Sequence, residues 1–265
     1  DIMEFVVYTS GLSGISLEGK DYYYANPLRV IDGSRDYEKM NTEFPVRQPY
    51  LDCFCCPPNL VRTISKLSGW AYSKSHNGIA VNLFGGNKLK TTLLDGSNIE
   101  LTQETNYPWE GLVKITMDKS KKEAFDVMLR VPNWAENTKI MVNDEALNIT
   151  VEAGKFAIIN RKWKKGDVIT IDMPMEITFI EGHTRIEEVR NQVAVKRGPI
   201  VYCVESPDLP QNNMAFPLTT TPLECKGKNP FIWQTAPIIE DRMKILISLN
   251  DTLLTGETTM VNCSS

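Results

Sequence analysis

Long basic runs, long apolar runs and histidines are what this 265-residue sequence has least of. Its 29 Lys+Arg against 33 Asp+Glu give a formal charge of -4. These charges are scattered without a basic stretch, which argues against nucleic acid or an anionic membrane as partner and favours a small neutral or polar ligand. No stretch approaches the roughly 18 to 20 continuous apolar residues of a membrane span, and no basic-then-apolar leader opens the chain. Six cysteines are far too few to staple a chain of this length with disulfides. The only histidines, His76 and His183, stand in separate polar stretches, and there is no His-Glu-x-x-His, so imidazole-based zinc chemistry has no evident seat. There is also no tandem repeat and no low-complexity tract.

What is present changes texture near residue 72. Ile2, Met3, Val6, Val7 and Leu12 predict the end of a buried helix that stops in the Gly11 to Gly14 region. The abrupt opening reads as the interior of a packed element, so the sequence is expected to be a piece of a longer protein. Ser16 to Lys20 predicts a turn or short hairpin, followed by the aromatic run Tyr22-Tyr23-Tyr24 and Asn26-Pro27. A polar loop from Asp32 to Glu43 leads to the cysteines. There Pro57-Pro58-Asn59 predicts a break, with Asn59 capping a helix over 59–69 whose apolar face is Leu60, Val61, Ile64 and Leu67, closed by Gly69.

From Ala71 the apolar period changes from 3.6 to 2. The stretches 78–84, 113–117, 127–131 and 169–173 alternate, and they are separated by Asp95-Gly96, Asn143-Asp144 and Lys165-Gly166-Asp167 turns, a pattern that predicts an antiparallel sandwich. Further strand-like runs at Ile177 to Ile180, Gln192 to Lys196 and Pro199 to Glu205 predict a second β unit from about residue 175. Beyond about residue 211 the pattern fades.

Three of the six cysteines are crowded together as Cys53, Cys55 and Cys56. Adjacent cysteines rarely bridge each other, because the bond strains the peptide between them, so crowding suggests a metal or a reactive thiol. Next to a helix N-terminus such thiols meet the positive end of its dipole and its unpaired N–H groups, an environment that suits thiolate as ligand or nucleophile. Cys55 and Cys56 could both reach one Zn²⁺ at about 2.3 Å, but tetrahedral closure needs two further ligands and no second pair is evident. Buried apolar thiols, or a purely structural zinc, are the plain alternative.

Cys55-Cys56-Pro57-Pro58-Asn59 followed by Arg62-Thr63-Ile64, with Tyr24-Ala25-Asn26-Pro27-Leu28 and residues 11–20 before it, resembles glycoside hydrolase family 127, the β-L-arabinofuranosidase family. Val131-Pro132-Asn133-Trp134 and residues 196–205 are similar to that family's markers in its β domains. The resemblance implies a mainly β chain with an N-terminal α segment. Residues 1–72 would end an (α/α)6 barrel, and 73–175 and 176–265 would be two antiparallel β-sandwich or jelly-roll domains. It also implies a zinc-dependent retaining exo-glycosidase in which Cys55 is the nucleophile and both Cys55 and Cys56 are metal ligands. The remaining ligands, a glutamate and a cysteine, and the acid/base glutamate would lie upstream, in a barrel portion that acts as partner to this chain. Alone, the chain would be inert. The implied substrate is terminal L-arabinofuranose or a related pentose on a plant-type or glycoprotein glycan.

Two further residues follow from the same resemblance. Glu4, set among Met3, Phe5, Val6 and Val7, would hydrogen-bond sugar hydroxyls; the alternative is a salt bridge to an upstream helix. Tyr24 would supply a pocket hydroxyl, with core packing as the alternative. Phe5 and Val7-Tyr8-Thr9 depart from the family's usual Arg and Leu-Tyr-Asn, which blurs the sugar assignment. Cys53 is read as a structural or spare thiol. Trp109, Trp134 and Trp163 are read as sandwich closures before glycan platforms. From other classes, a non-catalytic carbohydrate-binding sandwich with a structural thiol or zinc cluster competes, as does a redox-sensing or metal-storage protein built on the three thiols.

Overall fold

The alternating stretches form strands at nearly every expected place. In a computed structural model of the chain, the described residues are 1–24, 47–50, 55–183, 185–187 and 193–202, together with the backbone of strands at 231–235, 243–249 and 259–263. The expected polar loop Asp32 to Glu43, the Asn26-Pro27-Leu28 element, Cys53, Cys203 and Cys225 lie outside them. Two compact units are present: Asp1–Phe5 with Leu60–Ile177 and Arg197–Pro199, and Val6–Asn59 with Thr178–Lys196 and Ile200–Ser265.

In the first unit, strands β1 (Tyr72–Ser75), β2 (Gly78–Val81), β3 (Asn87–Thr92), β4 (Asn98–Thr105), β5 (Leu112–Lys119), β6 (Phe125–Arg130), β7 (Lys139–Val142), β8 (Glu145–Ala146), β9 (Phe156–Arg161) and β10 (Val168–Asp172) follow one another. They build a four-stranded sheet in the order β1-β2-β6-β9 and a six-stranded sheet in the order β3-β4-β5-β10-β7-β8. Inward residues alternate with outward ones: Phe125, Val127 and Leu129 from one sheet and Val113, Ile115 and Met117 from the other are almost fully buried. Trp163 closes this core, its indole N–H donating to the Phe125 carbonyl at 3.1 Å, as expected for a sandwich closure.

The sandwich is not wholly antiparallel. β2 runs parallel to β6, with Gly78 opposite Asp126 and Val81 opposite Leu129, because the chain builds β3, β4 and β5 in the other sheet before returning. All four residues of β2 are buried, as a central strand with a parallel neighbour requires. Gly78 is obligatory: a Cβ there would lie 1.9 Å from the Asp126 carbonyl oxygen.

Polar groups lock the turns. Asn143 and Asp144 adopt φ of 54° and 63°, the two-residue geometry that suits the twist of the β7–β8 hairpin. Asn143 Nδ2 donates to Asp167 Oδ1 at 3.0 Å, and the Lys164 N–H donates to Asp167 Oδ2 at 2.8 Å. Burial pushes the Asp167 carboxyl up, but Asn143, the Lys164 N–H and the Arg161 guanidinium together hold it below its ordinary value. Buried Gln103 donates to Tyr72 Oη at 2.6 Å, and Tyr72 donates to Asn87 Oδ1 at 2.6 Å. Burial raises the Tyr72 phenol, against the opposing pull of those hydrogen bonds.

The N-terminal segment is helical as expected. A short α-helix, α1 (Ile2–Phe5), passes into a π-helical stretch (Val6–Gly11) and a 3-10 turn (Leu12–Gly14). Ile2, Val6 and Leu12 are exposed, and the buried residue is Glu4. Its carboxylate is drawn inward by partners in the sandwich.

The second unit holds most of a sheet in the order β11-β12-β13 (Ile177–Glu181, Val193–Arg197, Ile200–Tyr202). A further sheet in the order β14-β15-β16 (Phe231–Thr235, Met243–Leu249, Thr259–Cys263) is antiparallel throughout and falls where the sequence pattern faded.

Candidate active site

The thiols stand where the sequence placed them, but the helix begins three residues earlier than expected. α2 runs Cys56–Trp70, and the first intrahelical bond is Asn59 N–H to the Cys55 carbonyl at 3.2 Å. Cys55 is therefore the capping residue, and Pro57 and Pro58 occupy the first turn. Proline is tolerated there because its missing N–H would have had no helical partner and its ring meets no preceding turn. The expected break and the Asn59 cap are thus corrected. Two of the first three helical residues carry no N–H, so the row of donors expected to face the thiols is reduced to that of Cys56.

Cys55 is exposed and Cys56 half-buried, and they are not joined in a disulfide. Their Sγ atoms lie 3.5 Å apart. Two sulfurs at about 2.3 Å from one tetrahedral zinc would be about 3.8 Å apart, so the pair fits two adjacent corners of a zinc site with a few tenths of an ångström of adjustment. Among the described residues no group of three or more His, Cys, Asp or Glu gathers to complete one. Cys53 stands three residues before Cys56, which makes a Cys-x-x-Cys spacing in the sequence.

Tyr24 is brought to the thiols by its backbone: Cys56 Sγ lies 3.8 Å from the Tyr24 carbonyl oxygen. The segment before it is braced. Ile15 and Tyr22 form one antiparallel bridge, and Tyr22 and Gln48 a second. Arg47 donates from Nε and Nη2 to the Ser13 carbonyl at 3.0 and 2.7 Å and stacks 4.6 Å from the Tyr23 ring centre. The Tyr24 side chain is exposed, so it does not fill a core.

Glu4 has a separate network. Only 1% exposed, it accepts on Oε1 from the Tyr107 hydroxyl and from Arg130 Nη2, the latter at 2.6 Å. Arg130 Nε donates to the Asn82 carbonyl at 2.6 Å and Nη1 to Asp1 Oδ1 at 2.7 Å. Glu4 Oε2 is buried with no hydrogen-bond partner among the described residues. The ion-pair partner of Glu4 within the chain is thus an arginine of the sandwich. Sequence reasoning missed Arg130 and Tyr107. The available signal was position: Arg130 immediately precedes the Val131-Pro132-Asn133-Trp134 element.

Comparison with known proteins is consistent along the chain. Models of the GH127 catalytic domain, the GH127 middle domain and the family 127 C-terminal domain match residues 1–69, 78–175 and 177–251. A non-reducing end β-L-arabinofuranosidase of Bifidobacterium longum subsp. longum is 29% identical over 217 residues, covering 79% of this chain and 32% of that protein. A solved structure described as a glycoside hydrolase is 33% identical with a TM-score of 0.75, covering 98% of this chain and 44% of its own. A GH127 β-L-arabinofuranosidase from Geobacillus stearothermophilus T6 is 28% identical with a TM-score of 0.75, covering 99% and 42%. The chain therefore spans less than half the length of each of these relatives. Matched in sequence order through catalytic, middle and C-terminal sections, the chain belongs to glycoside hydrolase family 127.

Proposed function

We propose that the whole protein is a zinc-dependent retaining exo-glycosidase that releases terminal L-arabinofuranose or a related pentose from plant-type or glycoprotein glycans. Two relatives bear the name β-L-arabinofuranosidase. The observation that carries the reading is the Cys55–Cys56 pair at the head of α2, with sulfurs 3.5 Å apart.

Cys55, the more exposed of the two, attacks the anomeric carbon. The S–C1 bond forms as C1–O breaks, and the aglycone oxygen leaves with a proton from a general acid outside this chain. Water, deprotonated by the same group, then attacks C1 from the opposite face and releases the thiolate, so two inversions give retention. Cys56 would hold the metal beside it. Zinc bound by the pair would keep both sulfurs deprotonated at neutral pH and screen the repulsion between them. The prolines after the pair make that cation the more necessary, since the helix end offers few N–H donors. Glu4 Oε2 accepts a sugar hydroxyl, and Tyr24 offers its phenol to the substrate as a second polar contact. Among the described residues the pair supplies two of four tetrahedral ligands, so turnover calls on groups beyond these two thiols.

In the whole protein, Cys55→Ala or Cys55→Ser is expected to lower kcat on an aryl β-L-arabinofuranoside at least about a thousandfold. Retention of most activity would overturn the nucleophile assignment.

A further inference from the structure

We infer that Arg130 and Tyr107 are positioning residues for sugar binding, holding one carboxylate oxygen of Glu4 so that the other is the acceptor presented to a sugar hydroxyl. The inference rests on the reading of Glu4 as a substrate-binding residue.

Glu4 is almost fully buried and is satisfied on one side only. Oε1 takes both the Tyr107 hydroxyl and Arg130 Nη2, while Oε2 has no hydrogen-bond partner among the described residues. An arginine retained only to neutralise a buried carboxylate usually grips both oxygens with its fork. Here the fork is divided: Nη1 goes to Asp1 Oδ1 and Nη2 to Glu4 Oε1, and Oε2 is left over.

The donors are themselves fixed. Guanidinium is planar and rigid, so with Nε on the Asn82 carbonyl and Nη1 on Asp1 the direction of Nη2 is set. The Phe84 ring lies 5.7 Å from the Arg130 guanidinium carbon and meets the Tyr107 ring edge-on at 5.8 Å, so one aromatic side chain spaces both donors. Two fixed donors on Oε1 stop the carboxylate from rotating to exchange its oxygens. A buried carboxylate oxygen left without a partner is a strong acceptor awaiting a donor, and a sugar hydroxyl is a donor of the right size.

The test uses the whole protein with three readouts: KM and kcat on an aryl β-L-arabinofuranoside, Ki for L-arabinose, and Tm. Tyr107→Phe and Arg130→Lys are each expected to raise KM and Ki about tenfold, with a smaller fall in kcat and Tm within a few degrees. A folded Tyr107→Phe variant with Ki within twofold of wild type overturns the inference. Glu4→Gln separates it from the reading beneath: an unchanged Ki there removes Glu4 from the binding site altogether. A weakened Glu4→Gln beside an unaffected Tyr107→Phe defeats only the positioning role. In the Glu4→Gln background, Tyr107→Phe should add less than about twofold, and an undiminished tenfold loss would show that Tyr107 acts on something other than Glu4. Should one of the two positioning variants unfold, the other decides.

Discussion

Cys55 and Cys56 are brought together by one peptide bond, whereas Glu4 and Arg130 meet across 126 residues of chain. The first pair depends on local geometry, a cap and the first residue of α2, and survives whatever the distant chain does. The second depends on the sandwich: Arg130 ends β6, and its direction is fixed by Asn82 and Phe84 just beyond β2, the strand that β6 pairs in parallel. A site built from neighbours can be recognised as a motif. A site built from strand pairing can be recognised only once the pairing is known.

Variants can pull the two apart. The largest effect on the thiol side beyond Cys55 itself is expected from Cys56→Ser, which should remove bound zinc and cut turnover by about a hundredfold or more, with Tm changed by only a few degrees; unchanged zinc content by metal analysis would contradict it. On the sandwich side, Gly78→Val places a side chain against the Asp126 carbonyl and is expected to cost more than about 4 kcal/mol or prevent folding. That loss would appear in denaturant unfolding, and Glu4 would lose its partners with the sheet. Trp163→Ala opens the core beside Phe125 and should cost about 3–5 kcal/mol while leaving the spacing of Cys55 and Cys56 untouched.

The smallest effect is a pH dependence. Asp167 is held below its ordinary value in the folded chain. Its contribution is therefore complete above the unfolded value of about 3.9 and disappears as pH falls through the lower folded value. Asp167→Ala should cost about 1–2 kcal/mol at pH 7, and the gap from wild type in urea unfolding should close progressively below about pH 4. A gap that stays constant down to pH 2 would contradict the assignment.

Much of the fold was legible because turns and alternation are local. Asn143-Asp144 announces a hairpin, and Phe125, Val127 and Leu129 announce a buried face. Strand direction was not, since an alternating strand reads the same with a parallel or an antiparallel neighbour, and the parallel β2–β6 pair escaped notice. The start of α2 was misplaced because proline is a breaker inside a helix but acceptable in its first turn. The thiol pair was legible as chemistry, while the donors that hold Glu4 were invisible until β6 had a place.

The central claim is that Cys55 carries the sugar. The whole protein should be incubated with an activated fluorinated β-L-arabinofuranosyl donor that accumulates the covalent intermediate, then digested with trypsin and sequenced by mass spectrometry across residues 48–62. One fluoropentosyl group on Cys55, absent from Cys53 and Cys56 and lost on prolonged incubation, is the predicted result. An adduct on a carboxylate, or none while the enzyme turns over with retention, would contradict the account.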